Sequence, residues 1–227
     1  EKTFSLSEAR MTEILILTAA VPLLAGLLRF EKKESARGLL LTKPFLSLLF
    51  IAAALTGPGS DPTYFGLILA GLICCLAGDV CLIFFFSRPL FLAGLVSFLT
   101  GHLFYAVAFF LKAPPEMSTW IVGVCAIAVS GAVFVWLQPH LGKMRIPVVA
   151  YMAIITAMVI GAASLLKDDH AALPGRTLAF VGAVLFYVSD IFVARHRFVA
   201  KAYVNRLVGL PFYYAAQFLI AFSIRFV

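Results

Sequence analysis

The chain has 227 residues, 63% of them hydrophobic and 13% charged, with 18 Lys and Arg against 11 Asp and Glu for a formal net charge of +7. A soluble domain runs about 45–50% apolar and about 25% charged, so a water-soluble fold is excluded: this much apolar surface needs lipid as its solvent. The basic excess is a topology signal by its placement, set out below, and no nucleic-acid partner is expected.

The opening stretch EKTFSLSEAR is polar and is expected to be an appended tail, residues 1–10, ahead of a single transmembrane domain over 11–227. Eight apolar runs follow, at about 12–29, 38–57, 64–85, 90–111, 119–137, 146–166, 176–194 and 206–226, each near the roughly 20 residues that cross a bilayer as a helix. The separators FEKKESAR, GPGSDP, SRP, KAPPE, QPHLGKMR, KDDHAALPG and RHRFVAKAYVNR carry turn and charge signals and are too short for a soluble domain. The third and fourth runs are parted only by FSRPL, a tight helical hairpin. Continuous rather than alternating runs exclude a β-barrel. The fold class is therefore all-α, a polytopic bundle of eight transmembrane helices. Cys74, Cys75, Cys81 and Cys125 lie inside these runs without CxxC spacing and read as small apolar fillers, with no disulfide framework.

With eight spans the loops alternate sides. One side collects Lys32, Lys33, Arg37, Arg88, Lys143, Arg145, Arg195, Arg197, Lys201 and Arg206. The other has Lys112, Lys167, Arg176 and Arg225, joined by Lys2 and Arg10 if the tail is native. The richer side is expected to be cytoplasmic, with both termini outside and a bacterial plasma membrane as the location. It also offers a surface to anionic lipid.

The chain carries an internal echo. GLICCLAGDVCLIF (71–84) aligns with GAVLFYVSDIFVAR (182–195), which sets Gly71 on Gly182 and Asp79 on Asp190. The helices that follow also correspond, GHLFYAVAFFL (101–111) with LPFYYAAQFLI (210–220), and the second and sixth runs share an early proline, Pro44 and Pro147. Four helices per half is an even number, so a repeat of this kind is parallel, 4+4, rather than inverted.

Asp79 and Asp190 are the acids placed well inside the apolar runs. A carboxylate there costs roughly 2.5–3.5 kcal/mol on insertion scales. The structural alternatives are an acid near a helix end that reaches water, one paired with a buried Lys, and one kept neutral for packing. Equivalent places in the repeat favour a functional site, with both aspartates as catalytic candidates. At 1.5 Å per residue both lie about 8–10 Å inside the basic-side ends of their helices. Lys43, Tyr151, Tyr213 and Tyr214 fall in the same layer, Gln217 a turn deeper, and Asn205 and Arg206 at the rim. These groups, with Ser189, are expected to converge on a cavity open to the cytoplasmic leaflet. Phe98, His102 and Tyr105 form one helical face nearer the midplane, where His102 is either a satisfied structural group or part of the deeper lining. Lys43, with one or more of Arg88, Arg197 and Arg206, is expected to form a polar mouth that holds a phosphate, unless Lys43 merely snorkels. His140, His170 and His196 lie in or beside different loops, without ligand spacing, so no metal and no cofactor are expected. There is no Gly-rich phosphate loop and no GxSxG elbow.

The stretches AGDVCLIF, FLAGLVSFLTGHLFYAVAF, RIPVVAYMAIITAM, GAVLFYVSDIFVA and LVGLPFYYAAQFLIA, in this order and spacing, resemble the lysoplasmalogenase (YhhN-like) family of eight-helix membrane proteins, over nearly the whole chain beyond residue 11. The resemblance implies a hydrolase of the vinyl ether bond of lysoplasmalogen, giving a fatty aldehyde and glycerophosphocholine or glycerophosphoethanolamine. It implies that the family's two acids are Asp79 and Asp190, and that the partners are a lysophospholipid substrate and membrane lipid. Nothing in the sequence sets an oligomeric state.

The chemistry suits two carboxyls on its own terms. A vinyl ether is hydrolysed by protonating its β-carbon, adding water to the resulting oxocarbenium-like cation, and collapse of the hemiacetal. One carboxyl donates the proton and one carboxylate stabilises the cation, as in glycosidases. Taking a carboxyl out of water favours its neutral, proton-donating form. A small proton-coupled transporter using the same aspartates is the alternative; parallel repeats and acids within one leaflet speak against it. A lipid-binding or structural membrane protein is a third.

Overall fold

The computed structural model describes residues 2–57, 59, 61–85, 87–167 and 171–227, with the side chains of all of these except 2–10 and 118. The expectation of a polar tail at residues 1–10 therefore concerns side chains outside the described residues, as does His170. The described chain is all helical: α1 Lys2–Lys32, α2 Ala36–Leu40, α3 Lys43–Leu55, α4 Pro62–Cys81, α5 Arg88–Lys112, α6 Met117–Leu141, α7 Arg145–Leu165, α8 Leu173–Ala194 and α9 Tyr203–Ser223.

Local chemistry sets the ends of these helices. Pro44, Pro62, Pro89 and Pro174 occupy the first turns of α3, α4, α5 and α8, where no N–H is needed. Asp61 caps α4, its Oδ1 accepting from the backbone N–H of Thr63 at 2.8 Å and of Tyr64 at 3.0 Å. Those bonds and a 3.1 Å pairing with Lys112 hold its carboxyl below the usual carboxylate range. α6 stops at Gly142, whose φ of 48° suits a residue without a Cβ. The run expected as one helix over 38–57 is two, α2 and α3. A continuous helix would drive the Pro44 ring into the carbonyl of Leu40, so the chain breaks at Leu41 and Thr42.

Seven helical stretches are long and apolar enough to cross a membrane, against eight expected. The difference lies in Thr119–Leu165, counted as one stretch of 47 residues. It doubles back at Gly142: the hydroxyls of Ser130 on α6 and Thr156 on α7 lie 2.6 Å apart.

Helices α3, α4, α5, α7, α8 and α9 pack in that order as a closed ring, α9 returning to α3. The most extensive contacts are α8 with α9 and α4 with α5. α1 lies outside the ring on α3 and α9, and α6 lies outside it on α7. Large apolar side chains such as Ile14, Val21, Ile121, Val124, Ile127 and Val135 face outward. So broad an apolar exterior around a buried core fits a lipid solvent, and the chain is a multi-pass membrane protein.

The α4–α5 contact depends on Gly71. A Cβ there would overlap the ring of Tyr105, which is fully buried and hydrogen-bonded to Gln217, so it has nowhere to swing. Gly71→Ala is expected to cost about 1–3 kcal/mol by overpacking. Gly66, on the same helix, has nothing within 4 Å of its Cβ position; Gly66→Ala should be neutral or stabilising. Thermal unfolding in detergent checks both.

Candidate active site

Asp79 sits on α4 and is 1% exposed. Its Oδ1 lies 3.2 Å from Lys43 Nζ. Its Oδ2 accepts from Ser47 Oγ and Tyr213 OH, both at 2.6 Å. Lys43 and Ser47 are one helical turn apart on α3, so they reach the same carboxylate from one face. Behind Tyr213 runs a chain of amide and hydroxyl groups: Tyr105 OH donates to Gln217 Oε1 at 2.8 Å, and Gln217 Nε2 donates to Tyr213 OH at 3.2 Å. Tyr213 and Gln217 again share one face of α9. A buried carboxylate is tolerated only when paired and hydrogen-bonded, and Asp79 is both.

Asp190 on α8 is supported more sparsely. Its Oδ2 accepts from Tyr151 OH on α7 at 2.6 Å. His102 Nε2 on α5 lies 3.8 Å from the same oxygen, too far for a hydrogen bond. Among the described residues His102 is its one basic neighbour within 4 Å. His102 is fully buried, and neither ring nitrogen has a hydrogen-bond partner. Its ring stands edge-on to Phe186 at 4.4 Å and Tyr151 at 5.2 Å between centroids.

Both carboxyls line one cavity of about 100 Å³, enclosed by side chains from α3 through α9. That volume holds about three waters. Lys43, Tyr151, Ser189, Asn205, Arg206 and Tyr213 also line it. His102, Tyr105, Tyr214 and Gln217 do not. His102 backs Asp190, and Tyr105 and Gln217 back Tyr213, each one shell behind the wall. Tyr214 is buried against Phe50 and Tyr213. Apart from Tyr187 the remaining wall is apolar, with Phe91, Leu95 and Phe98 from α5, Val133 and Leu137 from α6, and Ile155 from α7.

Three sequence expectations change. Lys43 is 2% exposed and paired with Asp79, so it neither snorkels nor stands at a phosphate-holding mouth. Arg88 is exposed and off the cavity. Arg197 donates to the backbone carbonyl of Phe85 at 2.8 Å and lies over the Phe91 ring, also off the cavity. Of the three arginines, one or more of which was expected beside Lys43, Arg206 lines the cavity.

Two groups escaped the sequence reading. Ser47 bonds Asp79, and its spacing of one turn from Lys43 would have found it. Tyr187 lines the cavity one turn before Asp190, within 2.6 Å of Ser130 Oγ. Among the described residues no three His, Cys, Asp or Glu side chains gather as a metal site would need.

The model of a family described as the YhhN family matches residues 39–224. The chain is 33% identical over 171 residues to the Bos taurus protein named Lysoplasmalogenase TMEM86A, covering 74% of this chain and 67% of that protein. It is 34% identical over 182 residues to the Mus musculus protein named Lysoplasmalogenase TMEM86B, covering 80% and 72%. It is 32% identical over 187 residues to the Mycobacterium tuberculosis protein named Lysoplasmalogenase, covering 78% and 67%. No solved structure matches the chain.

The Lys43–Asp79 pair has a direct test. Lys43→Met leaves a buried carboxylate without its counter-charge and should cost about 3–5 kcal/mol. The double variant Lys43→Met/Asp79→Asn removes the charge as well and should recover most of that loss, read from thermal unfolding in detergent. A loss in the double variant equal to the sum of those in Lys43→Met and Asp79→Asn measured singly would mean the two groups are not energetically coupled.

Proposed function

The chain belongs to the YhhN family, and we propose that it is a membrane-embedded lysoplasmalogenase that cleaves a vinyl ether by acid–base chemistry between Asp190 and Asp79. The observation that carries this reading is the convergence of two intramembrane carboxyls, with different partners, on one mostly apolar cavity. Relatives named lysoplasmalogenase from mammals and mycobacteria support the substrate class.

The different partners support a division of roles. Asp79 has an ammonium at 3.2 Å and two hydroxyl donors, which suit a standing carboxylate. Asp190 has one hydroxyl donor and a more open side chain, 17% exposed against 2% for Asp79, which suits the group that meets substrate. Asp190 gives its proton to the β-carbon of the vinyl ether, and the C=C π electrons form the new C–H bond. The cation this leaves is shared between the α-carbon and the ether oxygen and faces the Asp79 carboxylate. Water adds to the α-carbon and returns a proton to Asp190. The hemiacetal then breaks its bond to the glycerol oxygen, the hydroxyl proton passing to that oxygen by way of a carboxylate. The products are a fatty aldehyde and the free glycerol hydroxyl. The apolar wall keeps all but the needed water away from the cation.

The finer architecture follows the same reading. We count Thr119–Leu165 as two crossings, supported by its reversal at Gly142, which makes eight in a single domain. Swapping α1, α3, α4 and α5 for α6, α7, α8 and α9 maps the ring onto itself: α4 on α5 becomes α8 on α9, and α1 on α3 becomes α6 on α7. It also maps the acids, since Asp79 meets α3 and α9 while Asp190 meets α7 and α5. That correspondence supports a parallel 4+4 repeat with the site on its pseudo-axis. The basic loops put Arg206 and the cavity mouth toward the cytoplasmic leaflet, and both termini outside.

Asp79→Asn and Asp190→Asn keep shape but cannot ionise or donate an acidic proton. Each should lower aldehyde release from lysoplasmalogen by about 10²-fold or more. The double variant should be little worse than either single, because the groups act as a unit. A folded Asp190→Asn protein that keeps more than about a tenth of the wild-type rate would contradict this mechanism.

A further inference from the structure

His102 takes no part in the proposed steps, yet its place in the fold is costly. It is fully buried on α5, and neither ring nitrogen has a hydrogen-bond partner. The Phe98 carbonyl, one turn back on the same helix, lies beside the ring without completing a hydrogen bond to it. A buried polar group left unpartnered is destabilising, and one that persists calls for a use. The ring is neither a satisfied structural group nor part of the cavity lining, the two places open to it from the sequence.

What the ring faces is Asp190. His102 Nε2 lies 3.8 Å from Asp190 Oδ2, the oxygen that already accepts from Tyr151 OH at 2.6 Å. A closure of under 1 Å would make a hydrogen bond. The ring itself is wedged, with Phe186 edge-on at 4.4 Å and Tyr151 edge-on at 5.2 Å between centroids. The carboxyl is freer, its side chain 17% exposed and set on the cavity wall. Asp190 therefore has the room to close the gap, and His102 does not. On the other acid the equivalent contact is already complete: α9 gives Asp79 a 2.6 Å bond from Tyr213.

A contact left open suits a group whose charge changes. In the hydrolase reading Asp190 starts neutral and becomes a carboxylate as its proton reaches the β-carbon. A neutral acid asks little of its neighbours. The carboxylate needs donors, and Tyr151 supplies one. We propose that His102 is a positioning residue for Asp190, its Nε2–H bonding Oδ2 as negative charge appears on that carboxyl. The imidazole keeps its proton throughout. Only the hydrogen bond forms, and it is released when water returns a proton to Asp190. An interaction stronger in the transition state than in the ground state speeds the chemical step without tightening substrate binding. A donor already fixed beside the acid does this with little reorganisation. The proposal rests on the hydrolase reading above and adds a residue to it.

The test uses the full-length protein in detergent and an alkenyl lysophospholipid. Three variants separate donor position from bulk. His102→Gln carries an amide N–H close to the place of Nε2, His102→Asn carries one close to Nδ1, and His102→Phe keeps a ring with no donor. His102→Phe and His102→Asn should lower kcat about tenfold or more, the scale of one hydrogen bond to a charged group, with KM within about twofold of wild type. His102→Gln should bring kcat back to within about threefold of wild type. His102→Phe removes two unpartnered nitrogens and should keep or raise thermal stability. If it folds poorly, the Gln and Asn variants still report. An unchanged rate in folded His102→Phe, a loss confined to KM, or recovery by Asn in place of Gln overturns the proposal. If wild type releases no aldehyde, the hydrolase reading fails, and the contact is judged by infrared spectroscopy. The carboxylate band that Asp190→Asn removes should shift in His102→Phe and return in His102→Gln. A band unmoved by His102→Phe overturns the contact.

Discussion

An unpaired carboxylate cannot be kept in a hydrocarbon interior, and the bundle is organised around meeting that demand at Asp79. Lys43 supplies the counter-charge, and Ser47 and Tyr213 supply the hydrogen bonds. With Asp79 itself these groups span three helices, so α3, α4 and α9 must be held at fixed separations for the charge to be tolerated. Gly71 and Gly182 permit the close helix contacts behind this arrangement, since a Cβ at either would run into Tyr105 or into Ile220 and the Ala216 carbonyl. Gln217 then ties Tyr213 back to Tyr105 on α5. Packing and electrostatics are one constraint here. Loosening the α4–α5 contact also loosens the relay behind the ion pair.

The two aspartates occupy corresponding places on α4 and α8 but differ in what surrounds them. One has an ammonium and two donors; the other has a tyrosine and an imidazole just out of reach. Two identical groups thus reach one cavity with neighbours that differ, the difference on which the proposed division between proton donation and cation stabilisation rests. His102 is the least settled member, fully buried with both nitrogens unpartnered and 3.8 Å from Asp190. A shift of under 1 Å would close that gap into a hydrogen bond.

A second chamber, of about 580 Å³, opens at the basic end of the bundle and shares Leu82 and Arg206 with the one holding the acids. The smaller is lined mainly by aliphatic and aromatic side chains, and the larger adds Glu31, Lys32, Glu34, Lys201 and Arg206 to a partly apolar wall. The buried position of Arg206 at the junction is costly for a cation, and its contacts with Glu31 and the Phe85 ring offset part of that cost.

Much of this was legible in the residues alone. Run lengths and composition determine a helical membrane bundle, because only helices and closed barrels satisfy their backbone in lipid and continuous apolar runs exclude the barrel. Paired acids within apolar runs marked Asp79 and Asp190, since a charge there is too costly to be incidental. Helical spacing set Tyr151 and Tyr213 in the layer of the acids and Asn205 at the rim, and all three line the cavity. The partner of each acid was not legible. Lys43 read as a mouth residue because depth along a helix says nothing about which way its side chain turns. For the same reason the sequence left open which of Arg88, Arg197 and Arg206 reaches the cavity, and Ser47 drew no notice as an ordinary hydroxyl in an apolar run. The break between α2 and α3 was hidden in a continuous hydrophobic stretch until Pro44 had a carbonyl to clash with. Which oxygen meets which donor depends on helix rotation and crossing, and these are set by contacts between residues far apart in the chain. The tertiary structure therefore decided how the two equivalent acids differ, and the sequence only that there are two.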